Sequence, residues 1–223
     1  MKKLVLFAIV CLFAGKVMAQ SAQHEKAKEI KAELKEKSSK AAKQEAKKLI
    51  KEGWKVFAGG LPIEKQLDLA YQYQMDVDEN LEPRYILGAG QTPGGTVDGA
   101  RIQATELARI EIAGKIGSEA TGIIDNLIGN KQVDGDEAES LTNIVTSATF
   151  KTLVSQKLGR VRTVVEIYRD TKDKKKEVQI RLVTSESQVK KIAKQAMREQ
   201  FEKELKERGK EMSEEMKKFF YDK

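Results

Sequence analysis

The sequence predicts an α+β fold: a small antiparallel three-stranded sheet packed against long helices, with a charged N-terminal helical extension. Three observations carry this. Residues 161–167 and 178–182 alternate apolar and polar side chains on either side of a short charged turn, the period-two signature of a β-hairpin. Apolar residues recur at helical spacing over two segments before the hairpin and one after it. The apolar run Tyr85–Leu87 precedes the first of those helices and supplies a third strand, without which a two-stranded hairpin is marginal. The order strand, two helices, hairpin, helix places the helices on one face of the sheet.

The first element is not part of the fold. "MKKLVLFAIVCLFAGKVMA" has two lysines, an apolar core from Leu4 to Ala14, and small residues at Val17 and Ala19. It reads as a signal peptide over 1–19, cut after Ala19. Its apolar core is well short of the roughly 20 residues a membrane span needs. Export to the periplasm or the outer-membrane periphery is the expectation. Cys11 is the only cysteine and follows Val10, where lipid-attachment signals place a small residue. No lipid anchor is expected, and the exported chain must rest on a packed core rather than on disulfides. Cleavage leaves 204 residues (223 minus 19) and, with Lys2, Lys3 and Lys16 gone, lowers the formal charge from +7 to +4.

Residues 20–52 are mostly Ala, Lys, Glu and Gln, all good helix formers, with few apolar positions: Ile30, Leu34, Leu49 and Ile50. They read as a solvated, charged helical leader. Residues 53–83 form a connecting segment with one short helix, which Pro62 opens and Leu67, Ala70 and Tyr71 continue at helical spacing. The main α+β domain spans 84–209. Its strand, 84–90, leads into a helix from Asp98 to Ile128. A second helix runs from Gly135 to Leu158. The hairpin's inward faces are Val161, Thr163, Val165 and Ile167, then Val178, Ile180 and Leu182. The last helix runs from Ser185 to Arg208, and 210–223 is a charged C-terminal tail.

The strand–helix junction, "YILGAGQTPGGTVDGAR", looks at first like a phosphate-binding loop. Gly88, Gly90 and Gly94 give G-x-G-x-x-x-G, one residue longer than the dinucleotide fingerprint and interrupted by Pro93. The lysine of a P-loop is missing after Gly95. The stretch therefore reads as a flexible turn, with Thr96 or Asp98 capping the helix. Beyond it, Ala100, Ala104 and Ala108 recur every four residues and put three small side chains on one stripe. That stripe lets the helix lie close on the sheet, its shallow groove filled by the hairpin's branched side chains.

Chemistry is poorly provided for. The exported chain lacks cysteine, and its single histidine, His24, is in the leader, so Ser-His-Asp, Cys-His and zinc arrangements have no parts. Glu106 and Glu111 on the long helix are expected to pair with Arg101 or Arg109. No catalytic, cofactor-binding or metal residue is assigned, no small-molecule substrate is identified, and no enzyme is expected. The candidate interaction surface is basic: Arg160, Arg162, Arg169 and Arg181 on the hairpin strands, with Lys174, Lys175 and Lys176 in its turn. With the lysine-rich leader, it names an anionic polymer or membrane surface as the alternative partner to another envelope protein.

"PRYILGAGQT", the alanine repeat in "ARIQATELARIEIAGKIGSEA", and "VEIYRDTKDKKKEVQIRLVTS" before a basic helix together resemble the Lpp-twenty lipoprotein family, which includes the N-terminal domain of flagellar assembly protein T. Ala100, Ala104, Ala108–Arg109 and Ala113 match its helix pattern, and the likeness covers roughly 84–205. It implies an envelope protein with a compact α/β module used for association at the outer membrane or cell surface, with no catalytic residues. The chain departs from the family in having no credible lipid cysteine.

Overall fold

The alternation that predicts the hairpin is realised most cleanly in its second strand. Val178, Ile180 and Leu182 are buried on one face, while Gln179, Arg181 and Val183 point to the other. The computed structural model describes residues 33, 36, 37, 39–130, 135–159 and 161–221. Its strands are β1 (Lys55–Val56), β2 (Tyr85–Gly94), β3 (Arg162–Asp170) and β4 (Lys176–Ser185). They form one antiparallel sheet in the order β1-β3-β4-β2. Its helices are α1 (residues 39–51), α2 (Ile63–Met75), α3 (Val97–Gly129), α4 (Gly135–Thr146), α5 (Ala148–Lys157), α6 (Glu186–Arg208) and α7 (Glu214–Tyr221).

The class is α+β, but the sheet has four strands rather than three. The added strand is β1, which pairs Lys55 with Tyr168 and Val56 with Ile167. Two residues carry no periodicity, so side chains must locate it. Trp54 lies under the Arg169 guanidinium at 4.7 Å, and Lys55 reaches Asp170 at 3.4 Å.

Helices cover both faces of the sheet, not one. Val178, Ile180 and Leu182 pack with α3 to α7 in the larger core. Val164, Val165, Ile167 and Val183 pack with Ala42, Ala46 and Leu49 of α1 and with Leu67 and Ala70 of α2. The leader is therefore not solvated over 39–51, where it buries an alanine stripe. Likewise the charged tail is helical over α7, and Met216 and Phe220 dock against Phe201 of α6. Two further differences are local. Ser147 splits the second helix: its hydroxyl donates to the Ile144 carbonyl at 2.7 Å and accepts from Phe150 N–H at 3.0 Å, ending α4 and capping α5. A register shift between Thr163 and Val165 puts both Val164 and Val165 inside and leaves Thr163 exposed, breaking the expected alternation.

The glycine-rich stretch is no turn. It is the second half of β2, hydrogen-bonded in register to β4 as far as Gly94↔Lys176. Gly88, Gly90 and Gly94 all point to the face under α3. A Cβ on Gly88 would sit 2.1 Å from the Ala108 carbonyl oxygen, and one on Gly90 only 1.9 Å from that of Ala104. Four helix residues rise about 6 Å and two strand residues about 6.8 Å, so the alanine and glycine repeats stay nearly in step there. The alanine groove is filled by bare strand backbone from β2, not by branched side chains of the hairpin. Thr96 caps α3, its hydroxyl oxygen accepting from Gly99 N–H at 3.1 Å.

Candidate functional site

The basic residues singled out from the sequence do not converge on one surface. Arg162, Arg169 and Arg181 lie opposite Val183, Glu177 and Val165 in the sheet, on the face toward α1 and α2. Arg162 donates to the Tyr73 hydroxyl of α2 at 2.8 Å. Arg169 pairs with Glu177 at 2.6 Å and with Glu52, just past α1, at 3.6 Å. Arg181 pairs with Glu45 of α1, and Tyr71 of α2 donates to the same carboxylate at 2.9 Å. These three arginines thus tie the second helical layer to the sheet. Lys176 pairs with Asp170. Lys174 and Lys175 are exposed in the β3–β4 turn, Lys174 at a positive φ of 58°. Arg160, His24, Cys11 and the signal peptide lie outside the described residues.

Titration shifts follow the same partners. Burial alone pushes the Glu177 carboxyl up, but the Gln91 amide and the Arg169 guanidinium outweigh it and hold it below the ordinary carboxylate value. Burial pushes the Glu119 carboxyl up, and the nearby charge of Glu186 adds to this against the opposing pull of Lys190. One Glu119 oxygen is buried without a hydrogen-bond partner among the described residues.

The site that sequence reasoning missed lies along β2. This is an outer strand of the sheet, with β4 on one side only. Backbone groups in an antiparallel strand alternate between its two edges. Ala89 N–H and Leu87 C=O face outward, which assigns the odd residues of β2 to the open edge. Pro93 occupies an odd position, where its missing N–H costs no ladder bond. The two outward groups are held by α3, which overhangs the edge. The Glu111 carboxylate accepts from Ala89 N–H at 2.6 Å, and the Lys115 ammonium donates to the Leu87 carbonyl at 2.7 Å. Glu111 and Lys115 also pair with each other at 2.8 Å, one helical turn apart. Glu111 therefore does not pair with an arginine, whereas Glu106 comes within 4.0 Å of Arg109.

Beside this pair is a cleft of about 470 Å³, lined by Gln74, Pro83, Tyr85 and Leu87 with Glu111 and Glu119. One donor and one acceptor from α3 stand where the backbone of a neighbouring strand would supply the same groups. The side chains of Glu111 and Lys115 remain 41% and 50% exposed, so exchanging them for another strand's backbone buries no new charge. The only sequence signal was an (i, i+4) Glu–Lys pair, common on any helix surface. Among the described residues, no cluster of His, Cys, Asp and Glu is placed to hold a metal ion, and no helix is long and apolar enough to cross a membrane. Comparison with protein families, curated proteins and solved structures finds no match to the chain.

Proposed function

We propose that this chain is an exported, non-enzymatic structural or protein-interaction module of the cell envelope, of the kind its likeness to the Lpp-twenty family implies. The observation that carries the reading is the open edge of β2: a ten-residue strand, flanked by a cleft, two of whose outward backbone groups, Ala89 N–H and Leu87 C=O, are held by exchangeable side chains. Main-chain groups at a sheet edge are general-purpose sites for another polypeptide. The export half of the reading rests on the sequence of residues 1–19.

Two measurements test it. The native chain, recovered from fractionated cells, should begin at Gln20 and co-fractionate with the envelope. An uncut chain in the cytosol overturns the reading. A photo-crosslinker at Gln91, on the same edge, should capture a defined envelope protein, whereas one at Lys203, on the solvent face of α6, should not. Equal, unspecific capture at both sites removes the interaction role. The alternative, an anionic polymer or membrane surface, draws on Lys174 and Lys175 in the exposed turn. Binding of that kind weakens steeply with salt, and elution from a heparin column in the void at low salt disposes of it.

A further inference from the structure

We propose that the partner at the β2 edge is a second copy of this chain, paired antiparallel about a twofold axis at Gly88 to give a continuous eight-stranded sheet. This rests on reading β2 as an interaction edge and names its occupant. An antiparallel strand is self-complementary under a twofold axis, as an isologous interface requires. In a register centred on Gly88, Ala89 lies opposite the partner's Leu87. Its N–H then donates to the carbonyl of the partner's Leu87, and the reciprocal bond forms on the other side. These are the two groups that Glu111 and Lys115 hold in the single chain. Gly88 falls at the point where the two strands come closest and brings no side chain to obstruct them.

The charges agree with the same register. Glu111 stands over Ala89 and Lys115 over Leu87. With Ala89 opposite the partner's Leu87, Glu111 meets the partner's Lys115, and Lys115 meets the partner's Glu111. Each side chain released from its own strand gains an opposite charge across the interface. Leu107, Glu111 and Lys115 follow one another at four-residue spacing, so Leu107, 44% exposed, shares the overhanging flank of α3 and is available to bury. Pro93 ends the usable edge on one side.

The test is sedimentation equilibrium of the purified full chain and four variants. The wild type should sediment at twice the monomer mass. Ala89→Pro removes the outward N–H while leaving the β4 ladder intact, and it should sediment as a folded monomer with an unchanged circular dichroism spectrum. Glu111→Lys sets lysine against lysine across the axis, and Lys115→Glu sets glutamate against glutamate. Each alone should be monomeric. Mixed in equal amounts, they should restore the double mass, because each lysine then faces a glutamate of the other chain. The double exchange Glu111→Lys with Lys115→Glu should also dimerise. A monomeric wild type overturns the proposal, as does a mixture that stays monomeric or a dimer indifferent to Ala89→Pro. In the dimer the crosslinker at Gln91 captures a second copy of the chain; a monomeric wild type whose Gln91 crosslinker still captures a different envelope protein overturns this proposal and leaves the functional one standing.

Discussion

Replacing Gly90 by alanine tests the central contact of the fold. The new Cβ would lie 1.9 Å from the Ala104 carbonyl oxygen and 2.8 Å from Ala108 N. A carbon sits comfortably no closer than about 3.3 Å to a carbonyl oxygen, so β2 and α3 must separate by roughly 1.4 Å. Neither side can yield by changing a rotamer, because both are main chain. β2 is tied to β4 along its whole length, and α3 is pinned by Ala104, Ala108 and Ile112 in the core. Overpacking costs about 1–3 kcal/mol, and a backbone-to-backbone clash belongs at the upper end. For a domain of this size, about 3 kcal/mol lowers the melting midpoint by roughly 6–12 °C. Gly95→Ala is the control, since nothing lies within 4 Å of its added carbon. Thermal melts of the two variants check the reasoning. An unshifted midpoint for Gly90→Ala refutes it. So does rescue by adding Ala104→Gly, because the obstructing atom is backbone and removing a methyl leaves it in place.

Further outcomes follow from other contacts. Glu119→Gln should raise the melting midpoint at neutral pH. A carboxyl whose folded pKa is raised loses stability as pH climbs from the ordinary carboxylate value through the raised one, so the gain should shrink on acidification; midpoints across a pH series read it. Arg181→Ala leaves the largely buried Glu45 carboxylate without its cation and should cost about 1–3 kcal/mol, with part of the loss recovered by Glu45→Gln in denaturant titrations. The same change should expose α1 to limited proteolysis near Glu45. Phe220→Ala empties the contact with Phe201 and should cost about 3 kcal/mol, while shortening the protection of α7 amides in hydrogen exchange.

What could be read from the sequence was whatever carries its own period. Val178, Ile180 and Leu182 announce β4, and the broad apolar surface of residues 98–128 announces α3 within one residue at each end. What could not be read depends on a distant neighbour. Alanines at 42 and 46 look like helix formers on a polar segment, and only the far face of the sheet, with Val165 and Ile167, makes them core. Glycines at 88 and 90 fall inside the expected strand, but their reason for being glycine is a helix that begins several residues later. Both halves of that contact, the glycine alternation and the alanine repeat, stand in the sequence, but nothing local says that they meet. The arginines at 162, 169 and 181 look like an exposed edge for the same reason: their partners, Tyr73, Glu52 and Glu45, come from a layer assigned to solvent. Glu111 and Lys115 were hidden by being ordinary.

The glycine–alanine contact also bears on the order in which the chain assembles. Gly94 meets Ala100 across six residues and Gly88 meets Ala108 across twenty (108 minus 88), while β2 finds β4 across 82 to 100 residues (176 minus 94; 185 minus 85). Closing the longer loop costs more chain entropy, and contacts near in sequence form first. The β2–α3 pair and the β3–β4 hairpin are therefore expected to form as two local units before they dock along the β2–β4 ladder. Stopped-flow folding should then be slowed by a fault within either unit, whereas a fault in α1 or α7 should leave the folding rate alone and hasten unfolding.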